Sequence, residues 1–267
     1  LHWEERGSGP AVLLTPYWAM HPSIFDPIEE ALLDEFRVVR FDERGTGASH
    51  RAGPYDLATS VSDLELMCET AGPFEVALCL VDAANRAVRV AASQPELINL
   101  VYCVGSAPFG VGGLKDSESL LSSETVVRTY LQQLEADYRG AVRAALAGAN
   151  TRLSDDEIRQ RVQDQMDYID AESASVRARE WAMDGGAVEP GKAIGSRLSV
   201  CLSKTMGGPG AWFPSGEEME PVIREVFPDA QVHWTEDGIV TTPHEVVATL
   251  KESLAGTAES ATYHPQR

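Results

Sequence analysis

Six short apolar runs recur along the chain, and the stretches between most of them are long enough for a helix. They are Ala11–Thr15, Phe36–Asp42, Phe74–Leu80, Asn99–Val104, Leu198–Ser203 and Gln231–Thr235. Apolar runs rich in β-branched residues, alternating with helical patterns, predict a parallel sheet covered on both faces. The helices have readable ends. Val61–Ala71 stops at Gly72-Pro73, a helix-stopping pair, and Asp82–Ser93 ends before Pro95. Ser154-Asp155-Asp156-Glu157 and Thr242-Pro243-His244-Glu245 both read as capping boxes, the second with proline at the first helical position.

Residues 110–190 break the alternation. No strand pattern occurs there, and Glu124–Asp137, Gly140–Ala147, Ser154–Ile169 and Ser173–Met183 read as helices. The expected architecture is an α/β fold with a mostly parallel, doubly wound sheet and a helical cap inserted after the sixth strand. The sheet core would take residues 1–109 and 191–256, the cap 110–190, and a flexible tail 257–267.

Composition narrows the partners. Hydrophobic residues at 43% and charged residues at 24% suit a folded domain and exclude disordered, collagenous and disulfide-scaffold classes. The net charge of −19 argues against a nucleic acid or an anionic membrane surface as partner. No run reaches the ~20 apolar residues of a membrane span, and no secretory leader pattern opens the chain. Cys68, Cys79, Cys103 and Cys201 form no CxxC pair or zinc-ligand spacing. Buried reduced thiols, a cytoplasmic location, and neither metal nor cofactor are expected.

Gly7-Ser8-Gly9-Pro10 before an apolar strand, and Asp42-Glu43-Arg44-Gly45-Thr46-Gly47-Ala48-Ser49 after the next, carry a resemblance. A G-x-G-P turn and a D-x-R-G-x-G-x-S turn at these places resemble the α/β-hydrolase family, and the strand–turn–helix from Phe74 to Gly105 fits as well. The resemblance implies that fold, and a Ser-His-acid triad whose nucleophile sits on a strained G-x-S-x-G elbow.

No G-x-S-x-G is present. With Val81 as the elbow residue, the close-packed neighbours are Cys79, Ala83 and Ala84, all small; with Asp82, they are Leu80, Ala84 and Asn85. The small residues and the spacing to Pro95 favour Val81. A β-branched residue there predicts either a relaxed turn or a genuine backbone outlier. At the position the family gives to histidine, after Gly238, stands Ile239. The loop where the acid is expected, residues 204–212, has no carboxylate. In the oxyanion loop Pro16 removes a backbone donor.

Three functional readings follow. The first is a degenerate-triad protein that binds a small apolar molecule, or a protein partner, between core and cap. Its pocket would be lined by Tyr17, Trp18, His21, Val81, Phe109, Trp181, Trp212 and Ile239, and a homodimer is compatible with it. The second is an enzyme of other chemistry, an epoxide-hydrolase-like or dehalogenase-like protein using Asp82, or a cyclase or lyase. Asp82 also has a structural reason to stand where it does, because the helix dipole favours a carboxylate at a helix start. The third is an active esterase whose triad lies elsewhere, with His233 or His244 as base.

Overall fold

The computed structural model describes residues 1–15, 17, 21–109, 128–129, 131–149, 153–169, 171–205, 214–238 and 241–262. Seven strands form one sheet: β1 (His2–Gly7), β2 (Ala11–Thr15), β3 (Arg37–Asp42), β4 (Phe74–Leu80), β5 (Ile98–Val104), β6 (Leu198–Ser203) and β7 (Gln231–Thr235). Their order is β1-β3-β2-β4-β5-β6-β7, and all pairings are parallel except β1 with β3.

Side chains that alternate along a strand supply opposite faces. On β4, Val76, Leu78 and Leu80 enter one core, while Ala77 and Cys79 enter the other. On β5 the split is Leu100, Tyr102 and Val104 against Val101 and Cys103. The first core is covered by α1 (Asp26–Leu32), α9 (Pro243–Thr262) and the helices inserted between β5 and β6. These inserted helices include α4 (Tyr138–Ala149), α5 (Asp155–Tyr168) and α6 (Ala171–Met183). The second core is covered by α2 (Leu57–Ala71), α3 (Ala83–Ser93), α7 (Val188–Ile194) and α8 (Gly216–Val226). All four cysteines are free and buried.

Four details differ from expectation. The inserted helices follow β5, so one strand fewer precedes them than expected. Strand β1 was not expected, because Trp3 is the one large apolar residue in its His-Trp-Glu-Glu-Arg-Gly sequence; it is a mostly exposed edge strand held by main-chain pairing to β3 and by Trp3 on the second core. Helix α8 was hidden by Pro221 in its interior, although Ser215 and Glu218 close a capping box at its start. Helix α9 runs to Thr262, into the stretch expected to be a tail, and the Thr257 hydroxyl donates to the Ser253 carbonyl oxygen at 2.9 Å.

The box at Ser154 closes as drawn. At Thr242 the hydroxyl instead donates to the Asp237 carbonyl oxygen at 2.7 Å, and the Glu245 carboxylate accepts from the Glu236 N–H at 2.8 Å.

Candidate functional site

The site begins where β4 runs into α3. Only Val81 and Asp82 separate them. Val81 has φ of 45°, the only positive value at a non-glycine among the described residues. Asp82 has ordinary right-handed helical dihedrals, so the sharp residue is Val81. Left-handed backbone at a β-branched residue costs on the order of 1–3 kcal/mol. The surroundings impose it, since Cys79, Ala83 and Ala84 are fully buried and let the first turn of α3 lie directly on the sheet. Of the two outcomes expected at the elbow, the outlier is the one found.

Asp82 is only 1% exposed. Its carboxylate does not cap α3. It accepts from Arg86 Nη1 at 2.7 Å, one helical turn on. Arg86 Nη2 lies 2.9 Å from Glu43 Oε1, and Glu43 Oε2 accepts from Arg177 Nη1 at 2.8 Å. Arg177 also donates to the Arg44 carbonyl oxygen and stands 5.8 Å above the Tyr55 ring. Two carboxylates and two guanidiniums are thus buried in one balanced network joining α3, the turn after β3, and α6. Burial pushes the Asp82 carboxyl up from its ordinary range, and the neighbouring Arg86 charge opposes that shift. This ion pairing is a structural use of Asp82, beside the nucleophilic role considered from the sequence.

Above the elbow, Tyr17 belongs to the same core as α4 and α5, and Val81 packs against that core. Burial raises the Tyr17 phenol well above its usual value, and the nearby Asp82 and Tyr138 add to the effect. His21 accepts at Nδ1 from the Ser23 N–H at 3.1 Å, and its ring meets Tyr168 edge-on at 5.0 Å. The Tyr168 hydroxyl donates to Asp42 Oδ1 at 2.9 Å and accepts from Thr46 Oγ1 at 3.1 Å. The Gly47 N–H donates to the Tyr168 carbonyl oxygen at 3.0 Å. The D-x-R-G-x-G-x-S turn is therefore bolted to the end of α5.

Phe109 does not join this group. It stacks on Phe227 at 5.8 Å and packs on the core of the opposite face. After β5 the chain turns at Gly105 (φ of 74°), and Ala107 is already buried in that second core. Trp181 is half-buried on α6. Trp18, Trp212 and Ile239 lie outside the described residues.

Two polar groupings escaped sequence reasoning. The buried Asp237 carboxylate accepts from the Thr205 hydroxyl, at the start of the loop that has no carboxylate of its own. His233 Nε2 lies 3.0 Å from Ser253 Oγ, and its Nδ1 lies 3.5 Å from Glu252. Serine, histidine and glutamate are thus in triad order. Ser253, however, is 0% exposed, and its hydroxyl donates to the Thr249 carbonyl oxygen at 2.8 Å. No substrate reaches such an oxygen, so this trio fastens α9 to the sheet. No sequence signal joined them, since His233 and Ser253 are too far apart along the chain for a motif.

Burial lowers the pKa of both His21 and His233 from the ordinary histidine value. A lowered folded pKa means that the unfolded chain binds protons more readily. The stability from neutral imidazole is therefore complete above about pH 6.5 and is lost as pH falls through the folded value. Thermal unfolding followed between pH 7.5 and 5 is expected to show falling stability, with His21→Gln and His233→Gln each flattening the fall. A pH dependence unchanged in both variants would refute this.

Among the described residues no helix is long and apolar enough to cross a membrane. No family model matches the chain. Over 144 residues it is 31% identical to a pimeloyl-[acyl-carrier protein] methyl ester esterase of Nitrosomonas europaea, covering 50% of this chain and 54% of the relative. Over 172 residues it is 27% identical to a 2-(acetamidomethylene)succinate hydrolase of Mesorhizobium japonicum, covering 64% and 59%. The chain thus spans less than two thirds of the length of these curated relatives. A thermophilic esterase from Thermogutta terrifontis superposes with a TM-score of 0.73 at 18% identity, over 96% of this chain and 93% of that one. The strand order, the positive-φ turn between β4 and α3, and these likenesses together show that the chain has the α/β-hydrolase fold.

Proposed function

We propose that this protein binds a small apolar molecule between its sheet and the inserted helices, which act as a cap, and that it does so without Ser-His-acid turnover. The observation that carries the reading is Val81. The elbow geometry is kept, strain included, at φ of 45°, yet the side chain displayed there has no nucleophilic atom. A hydroxyl without a proton-accepting imidazole is a weak nucleophile; here even the hydroxyl is missing from the turn. Ile239 in the histidine's place and the lack of a carboxylate in residues 204–212 point the same way.

The names of the curated relatives, an esterase and a hydrolase, favour catalysis as the ancestral use of the fold. They also suggest an acyl-type ligand, with an apolar chain and a polar end. Four free cysteines fit a reducing, cytoplasmic setting.

Two measurements test the reading. Incubation with a fluorophosphonate is expected to label no serine, and short-chain nitrophenyl esters are expected to turn over no faster than in buffer. Medium-chain apolar ligands are expected to stabilise the fold saturably, by about 2.7 kcal/mol at a hundredfold excess over Kd. Stoichiometric labelling of any serine would overturn the reading.

A further inference from the structure

The inserted helices bring to the first core an amide that the protein only half satisfies. Gln165 on α5 is 1% exposed. Its Nε2 donates to the Tyr138 hydroxyl oxygen at 3.0 Å. Its Oε1 is buried and has no hydrogen-bond partner among the described residues. A buried acceptor left in this state destabilises a fold, and such groups are few enough in native proteins that each needs a reason.

The surroundings suggest one. Tyr138 belongs to the core cluster that contains Tyr17 and against which Val81 packs. The Tyr17 phenol is within electrostatic reach of both Tyr138 and Asp82. The Gln165 amide and its phenol partner therefore sit against a mostly apolar core that also holds Tyr17. Polar groups few in number and placed among apolar walls are what orient a ligand in a small-molecule site.

We infer that Gln165 is the polar anchor for the bound molecule, its Oε1 accepting a hydrogen bond from a ligand hydroxyl or amide N–H. The inference rests on the proposed binding of an apolar molecule between sheet and inserted helices, and it deepens that reading by naming the ligand's polar end. A carbonyl oxygen only accepts. An ether or an ester of the same shape brings no proton to it and leaves Oε1 as it was. The ligand class is thus an amphiphile with an apolar body and a donor-bearing end, an alcohol or an amide.

A pair of isomers tests this: 1-octanol and methyl heptyl ether have the same formula and differ in the hydroxyl proton. Binding of each to the full chain is measured by displacement of an apolar fluorescent dye. Wild type is expected to bind the alcohol about tenfold more tightly than the ether, as one hydrogen bond warrants. Gln165→Leu is expected to bind both within about twofold of each other, with no loss in thermal stability. Gln165→Met serves the same purpose if the leucine variant does not fold. Equal binding of the two isomers by wild type, the result if a water rather than a ligand answers Oε1, would overturn the inference and leave the proposed apolar binding standing. A tenfold preference retained in the variants would overturn it as well. Failure of both isomers to displace the dye from wild type would overturn the binding reading and this inference together.

Discussion

Replacing Arg86 with methionine is expected to destabilise the fold by about 3–5 kcal/mol, the usual consequence of removing one partner from a buried ion pair. Arg86 is buried and faces Asp82 at 2.7 Å and Glu43 at 2.9 Å. Methionine fills much of the same volume, so the loss reports charge rather than a cavity. Without Arg86, Asp82 keeps its burial and loses the stronger of the two guanidiniums that oppose its protonation, while Glu43 keeps its pairing with Arg177. Asp82 would take up a proton, which limits the loss and makes it pH-dependent. The double variant Arg86→Met with Asp82→Asn is then expected to be more stable than Arg86→Met alone, since the stranded carboxylate is gone. Urea unfolding at constant m-value checks both statements. A loss below about 1 kcal/mol, within the range of an exposed pair, would show that the network is solvated. A rise in stability would show that desolvation outweighs the Coulombic gain.

Gly47→Ala is the second large effect expected, a loss of about 2–4 kcal/mol. Gly47 has φ of 47° in the D-x-R-G-x-G-x-S turn. A Cβ there would meet the Asp42 carboxylate. That carboxylate is in use: it accepts from the Ala48 N–H at 2.9 Å and the Tyr168 hydroxyl at 2.9 Å, and it lies 3.1 Å from His2 Nδ1. Alanine therefore adds backbone strain and displaces the group that ties the turn to α5. Gly195 offers a contrast, because nothing lies within 4 Å of a Cβ built on it, while its φ of 56° and ψ of −126° lie outside the left-handed well. Gly195→Ala is expected to show backbone strain alone. Thermal unfolding should register Gly47→Ala as a drop of roughly 5–15 °C. A drop below about 2 °C for Gly47→Ala would remove both the strain and Asp42 from the explanation.

These two expectations sit differently with respect to the sequence. The second was legible in part. Two glycines at fixed spacing in an Asp-led turn imply backbone that other residues avoid, and the motif stands whole between Asp42 and Ser49. The first was not. Asp82 and Arg86 are one helical turn apart, but Glu43 and Arg177 come from distant segments, and no local pattern announces that four charges will share one dry site.

The same division runs through the whole molecule. Sequence determined whatever depends on neighbours along the chain. The alternation of apolar runs and helices specified the sheet, since a strand buried on both faces must be apolar throughout. Small residues on either side of Val81 specified the elbow, since only they let a helix pack directly onto the strand it follows. Tertiary structure decided whatever depends on neighbours in space. It held Val81 in left-handed backbone, turned Asp82 towards Arg86 rather than towards the start of its helix, and sent Phe109 to the opposite core from Tyr17. It brought the Asp237 carboxylate to Thr205 and left the Gln165 carbonyl oxygen buried without a partner among the described residues. The physical reason is range: periodicity and steric fit act over a few residues, whereas desolvation and hydrogen bonding act wherever folding brings groups together.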